Sequence, residues 1–157
     1  MSKTLCVYCT RTHLTEALMK RISDELDAEL LQITDGKDRQ GTWGFVRAAI
    51  AGLSKKMPVL LPFSTVSPLP EYERILIGTP IWSETICPLT KSFLNEYGKD
   101  LKGQVSFVVT HMGKHDYLSE VQKLDRFLTV PHVNCLSVST KAGGYEEQLA
   151  TFVDSCR

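Results

Sequence analysis

Three short polar segments carry the side chains that could do chemistry. The first is Thr10-Arg11-Thr12-His13-Leu14-Thr15-Glu16, with three hydroxyls directly ahead of an apolar pattern at helical spacing. A helix start offers unpaired N–H groups and the positive end of a dipole, and nearby hydroxyls add donors, so a phosphate monoester fits there. Plain helix capping by Thr10 or Thr12 would need one hydroxyl only. Three of them beside Arg11 favour an anion cradle. The second segment, Gly78-Thr79-Pro80-Ile81-Trp82-Ser83-Glu84, sets a tryptophan after a proline-stiffened turn. Its indole could stack on a planar aromatic ligand or equally cap the core or an interface. The third, Thr110-His111-Met112-Gly113-Lys114-His115, is short and polar, and its glycine lets backbone approach a ligand edge.

Other arrangements point to less. His111 and His115 stand four apart, but no acidic residue lies between them and a glycine interrupts the turn that would align them. His13 and His132 offer no third ligand, so no metal site is expected. The Cys6-Val7-Tyr8-Cys9 spacing mimics a redox pair, yet it falls in an apolar run that reads as a strand. Three strand residues span roughly 10 Å and place the two thiols on opposite faces. Five cysteines, an odd number scattered at 6, 9, 87, 135 and 156, read as reduced thiols.

The elements that must position these segments follow from the pattern. Apolar runs at 4–8, 28–33, 74–78, 105–109 and 133–138 read as strands, several of them apolar on both faces as buried parallel strands are. Between them Leu14, Leu18, Ile22 and Leu26 recur every four residues, and residues 43–55 carry Phe45, Val46, Ala49, Ile50 and Leu53 at helical spacing, each set able to cover a sheet face. Further helices are predicted at 88–97, at 117–128 and from Tyr145 to the C-terminus, the last introduced by Gly143-Gly144. Four prolines, at 58, 62, 68 and 70, make residues 58–70 an extended surface segment leading into the third strand. The cluster at residues 35–39 reads as a solvated loop, and Arg47, Lys55 and Lys56 as the wet face of a helix. Right-handed crossovers then leave an α/β fold: an open, doubly wound, five-stranded parallel sheet with helices on both faces. In such sheets ligands bind beyond the C-terminal strand ends, where all three polar segments fall.

Length and charge narrow the function. The 157 residues, 43% apolar and 23% charged, fit one domain with a sizeable core. Eighteen basic residues balance eighteen acidic ones, which argues against a general nucleic-acid or anionic-membrane binder. No apolar run approaches the roughly 18 residues of a membrane span, and the N-terminus turns polar too early for a signal peptide, so a cytoplasmic location is expected.

In this order, the segments resemble the flavodoxin-like family of FMN-binding proteins. Tyr8-Cys9-Thr10-Arg11-Thr12-His13-Leu14-Thr15-Glu16 is similar to that family's phosphate loop, written in one subgroup with Ser-Arg-Thr-Gly-Asn-Thr-Glu. Tyr72-Glu73-Arg74-Ile75-Leu76-Ile77-Gly78-Thr79-Pro80-Ile81-Trp82 is similar to its third strand and first ring-binding loop, with the recurrent Gly-Thr-Pro-x-Trp. Val105-Ser106-Phe107-Val108-Val109-Thr110 and the loop after it resemble the second ring-binding segment. The resemblance runs from about Lys3 to the C-terminal helix.

It implies a strand order of 2-1-3-4-5 and an FMN cofactor. Thr10, Thr12 and Thr15, with the backbone of residues 11–14 (Arg11, Thr12, His13, Leu14), would hold the phosphate. Pro80, Ile81 and Trp82, followed by Ser83, would flank the isoalloxazine, and Thr110, His111, Met112 and Gly113 its pyrimidine edge. The chain departs from the family where the loop's Gly-Asn pair is His13-Leu14. That departure predicts either a reshaped loop or charge-assisted hydrogen bonds from Arg11 and His13 to the phosphate. The implied function is electron transfer or a small flavin-dependent oxidoreductase, working with a redox partner protein or a quinone-like or porphyrin-like acceptor. Neutral net charge favours the oxidoreductase over an acidic carrier. The alternative is a domain of this fold that has lost FMN and acts as a binding module, with Leu14 extending the apolar stripe of its helix.

Overall fold

The computed structural model describes residues 3–37, 40–53 and 57–157, with backbone only at 45 and 51–53. The strands are β1 (Thr4–Tyr8), β2 (Glu29–Gln32), β3 (Arg74–Trp82), β4 (Thr85–Ile86), β5 (Gln104–His111) and β6 (Asn134–Ser139). The helices are α1 (Leu14–Leu26), α2 (Gly41–Leu53), α3 (Pro88–Tyr97), α4 (Leu118–Gln122) and α5 (Glu146–Ser155). Five strands form a parallel sheet in the order β2-β1-β3-β5-β6, the order expected from sequence with one small strand added. Its register pairs Tyr8 with Gly78 and Gly78 with Val108, so the ends of β1, β3 and β5 lie side by side.

Alternation along each strand feeds two apolar layers. Leu5, Val7, Ile75, Ile77, Phe107 and Val109 point to one face, where Phe93 and Leu94 of α3 and Val121 of α4 cover them. Cys6, Tyr8, Leu76 and Val108 point to the other, under Leu18, Met19 and Ile22 of α1 and Leu149, Phe152 and Val153 of α5. Cys6 and Cys9 therefore belong to opposite layers, as the strand geometry requires, and the cysteines are all free thiols. The helix after β1 and the helix after β3 cover opposite faces, which opens a crevice between these two strand ends.

Several expectations need correction. β3 continues past 78 to Trp82 and folds back on β4, pairing Ile81 with Ile86 and Trp82 with Thr85. The two-residue turn, Ser83-Glu84, has positive φ at both positions (51° and 61°), as twist-matched hairpin turns require. The fourth helix is one α-helical turn, followed by a 3-10 turn over Lys123–Phe127. There Asp125 accepts bonds from the His132 amide and ring, which draws the segment towards the next loop. α2 covers the sheet with small residues: Ala48 is buried, whereas Val46 and Ile50 of its expected packing set are exposed, as is Trp43. The side chains of Phe45 and Leu53, with Asp38, Arg39, Lys55 and Lys56, lie outside the described residues. Residues 57–68 run without helix or strand, pinned by Leu61 N–H on the Thr34 carbonyl and by Ser92 Oγ on the Pro58 carbonyl. No described helix is long and apolar enough to cross a membrane.

Candidate functional site

A cleft of about 270 Å³ opens at the C-terminal ends of β1, β3 and β5. Thirteen of the fourteen candidate residues line it: Thr10, Arg11, Thr12, Leu14 and Thr15 from the first loop, Pro80, Ile81, Trp82 and Ser83 from the second, and Thr110, His111, Met112 and Gly113 from the third. The three polar segments converge because the sheet register brings their strands together. Two contacts then fix the walls. Thr15 Oγ1 and Thr110 Oγ1 are hydrogen-bonded at 2.8 Å, and Thr140 donates to the His111 carbonyl through both its N–H and its hydroxyl.

The first loop does not cap the helix that follows it: no side chain caps α1, so the amides of its first turn are left to other acceptors. The Thr10 hydroxyl is buried without a hydrogen-bond partner, an unmet demand usually worth about 1–3 kcal/mol. Leu14 is half exposed at the cleft rather than buried in the helix stripe with Leu18 and Ile22.

His13 is the candidate that lies outside the cleft lining. It takes φ 66°, the left-handed conformation that glycine adopts without cost, so the loop keeps a glycine-type path through a non-glycine residue. Its ring is held elsewhere: Nδ1 donates to Glu16 Oε2, and Nε2 accepts from the Gln40 side-chain amide at 2.7 Å. Glu16 also accepts from Tyr8 Oη at 2.9 Å. The His13 bond first, then the Tyr8 bond, hold the Glu16 carboxyl below its ordinary range. Burial, followed by the Glu16 contact, pushes the Tyr8 phenol up. The histidine thus braces the loop from outside.

The opposite lip adds residues outside the fourteen candidates: Ala48, Ala49, Glu84, Tyr117 and Thr140, of which Glu84 belongs to the second polar segment and Ala49 was expected only as a packing residue. Glu84 accepts from Tyr117 Oη at 2.8 Å, and Ser83 Oγ donates to the Ala49 carbonyl at 2.9 Å, so the hairpin tip is strapped on both sides. Burial, then Glu84, raises the Tyr117 phenol above its usual value. Tyr117 is itself left-handed (φ 58°), and its hydroxyl would lie 2.3 Å from a Cβ placed on Gly113. His111 Nδ1 donates to the Gly113 carbonyl at 3.1 Å, which closes the third loop. Trp82 is only 5% exposed although it lines the cleft. Among the described residues no group of three or more metal-ligating side chains occurs.

No protein-family model matches the chain, and no curated protein matches it in sequence. Solved structures do. A protein of Bacteroides uniformis described as a flavoprotein superposes with TM-score 0.78 at 20% identity, covering 98% of each chain. A Lactobacillus acidophilus flavoprotein, crystallised in complex with FMN, superposes with TM-score 0.73 at 20% identity, over 96% of this chain and 99% of that one. A short-chain flavodoxin associated with a bacterial microcompartment gives 0.62 at 10% identity, over 99% and 97%. At these identities the likeness is one of fold: the sheet is flavodoxin-like.

Proposed function

We propose that the chain binds FMN in this cleft and works as a small flavin-dependent oxidoreductase. The observation that carries the reading is the partnerless buried hydroxyl of Thr10 beside the uncapped start of α1. An anion with several oxygens satisfies both at once, and a phosphate monoester has that form. The flavoprotein neighbours and the FMN held by one of them support the choice of ligand.

On this reading Thr10, Thr12 and the backbone of residues 11–14 would hold the phosphate, while Thr15, through Thr110, ties that loop to the ring loops. Pro80, Ile81, Trp82 and Ser83 would line one side of the ring, and Thr110, His111, Met112 and Gly113 its polar edge. Bound FMN supplies one- and two-electron redox chemistry. The protein's part is to position and to exclude water: Trp82 offers a sheltered apolar plane, and the Tyr117–Glu84 bond keeps the hairpin lip in place. The zero net charge favours a small acceptor of quinone-like or porphyrin-like shape over docking on a basic protein partner.

Visible absorption of the purified protein, before and after adding FMN and passing it through gel filtration, tests the cofactor. Flavin bands that travel with the protein are expected, and a colourless protein in both conditions overturns the reading. Menadione turnover with reduced nicotinamide then separates an oxidoreductase, which turns over alone, from a carrier that needs a protein partner.

A further inference from the structure

Cys9, at the end of β1, and Cys87, the residue before α3, lie 78 positions apart, yet their Sγ atoms are 3.3 Å from each other. Both side chains are fully buried. A disulfide needs the sulfurs at about 2 Å, a closure of little more than 1 Å shared between two side chains. The surroundings are built around the pair: Thr90 Oγ1 sits 3.2 Å from Cys9 Sγ and donates to Thr79 Oγ1 at 2.7 Å. Cys9 is followed directly by Thr10 of the cleft, and Cys87 donates its N–H to the Pro80 carbonyl at 3.1 Å. The pair therefore joins the roots of the first and second cleft loops.

We propose that Cys9 and Cys87 are a redox-active dithiol that a small hydroperoxide converts to a disulfide. Cys9, which adjoins Thr10 of the cleft lining, is assigned the attacking role. Its thiolate attacks the peroxide, the O–O bond breaks, a sulfenic acid forms, and the departing oxygen takes a proton to leave as alcohol or water. The Cys87 sulfur then attacks the sulfenic sulfur, the S–S bond forms, the S–O bond breaks, and water leaves with the Cys87 proton. Two thiols are oxidised by two electrons and the peroxide is reduced by two. Full burial excludes bulky oxidants such as glutathione disulfide, which must bring their own sulfur into line. Burial first, then the Cys9 contact, also pushes the Cys87 thiol well above its ordinary range, which disfavours its thiolate. The chemistry needs no flavin.

The test treats the reduced, folded full chain with hydrogen peroxide, then alkylates under denaturing conditions and maps the peptides. The expected result is a Cys9–Cys87 cross-linked peptide with the loss of two hydrogens, absent in Cys9→Ser and in Cys87→Ser. The variant Cys6→Ala/Cys135→Ser/Cys156→Ala keeps the pair and should form the same link, with a thermal midpoint several degrees higher after oxidation. Glutathione disulfide should leave native Cys9 and Cys87 unmodified. Separate sulfinic acids at Cys9 and Cys87, a link through another cysteine, or no change where unfolded protein is oxidised would each overturn the proposal. The wild-type map decides the matter even where a variant fails to fold.

Discussion

Thr10 and His13 stand three residues apart in one loop and carry opposite expectations. Replacing Thr10 by valine keeps the shape and removes a buried hydroxyl that has no partner. The ligand-free protein should therefore gain about 1 kcal/mol, read as a higher denaturant midpoint, while FMN affinity falls by roughly tenfold or more through loss of a charge-assisted bond. A variant that loses both stability and affinity would show that the hydroxyl serves the fold. His13→Gly removes the left-handed cost of about 1–2 kcal/mol but also an exposed contact with Glu16 worth less than about 1 kcal/mol. Because the ring lies outside the cleft, FMN affinity should change by only a few-fold; a large gain in titration would mean that the histidine obstructs the site. The two tryptophans report separately, since Trp43 is 78% exposed and Trp82 5%. Trp43→Phe should leave blue-shifted emission shielded from iodide and quenched by FMN, whereas emission that FMN leaves unchanged would remove Trp82 from the ring site. The residue types of this loop were readable in the sequence. The outward turn of His13 was not, because besides its i,i+3 neighbour Glu16 it depends on Gln40, 27 positions along the chain, which spacing does not pair with it.

The elements show how close packing sets the cleft floor. A Cβ on Gly78 would lie 2.4 Å from Met19 Cγ, so the absent side chain is what lets α1 settle against β3 just below the first cleft loop. Gly78→Ala should cost about 1–3 kcal/mol by overpacking, and Gly78→Ala/Met19→Ala should show favourable coupling as the shortened side chain gives way. Strictly additive losses in a double-mutant cycle would refute that contact. Strands and long helices were legible because apolar runs and four-residue repeats are local signals. The β3–β4 hairpin was not, since Ser83-Glu84 lacks the Asn-Gly chemistry that marks such turns, and its conformation is supported by Tyr117 and Ala49 from distant parts of the chain. α2 differs in part from its expected packing set: Val46 and Ile50 are exposed and the neighbouring Ala48 is buried instead.

At the scale of the whole molecule, the open doubly wound sheet was legible because alternating β and α segments and right-handed crossovers leave few arrangements, while the strand order came from the family resemblance of the loop motifs. Contacts between distant positions, such as Cys9 with Cys87 or Arg21 with Glu146, carry no local signal. The second of these joins α1 to α5, while Glu16 joins α1 to the end of β1 through Tyr8. Both glutamates are held below the ordinary carboxylate range, Glu146 chiefly by its bond to Arg21 and Glu16 chiefly by His13. A carboxyl that is more acidic in the folded chain binds fewer protons there than when unfolded. Its contribution is therefore complete above the unfolded value, near 4.3, and is lost as pH falls through the lower folded value. Stability should accordingly decline below about pH 4 to 5, and Glu16→Gln and Glu146→Gln should each flatten part of that decline while lowering stability slightly at neutral pH. Glu146 is exposed and Glu16 half-buried, so the effect should shrink in high salt, and more for Glu146 than for Glu16. Chemical unfolding measured from pH 3 to 7 in low and high salt checks this: an acid limb unchanged in both variants would mean that other carboxylates set the acid stability of the fold.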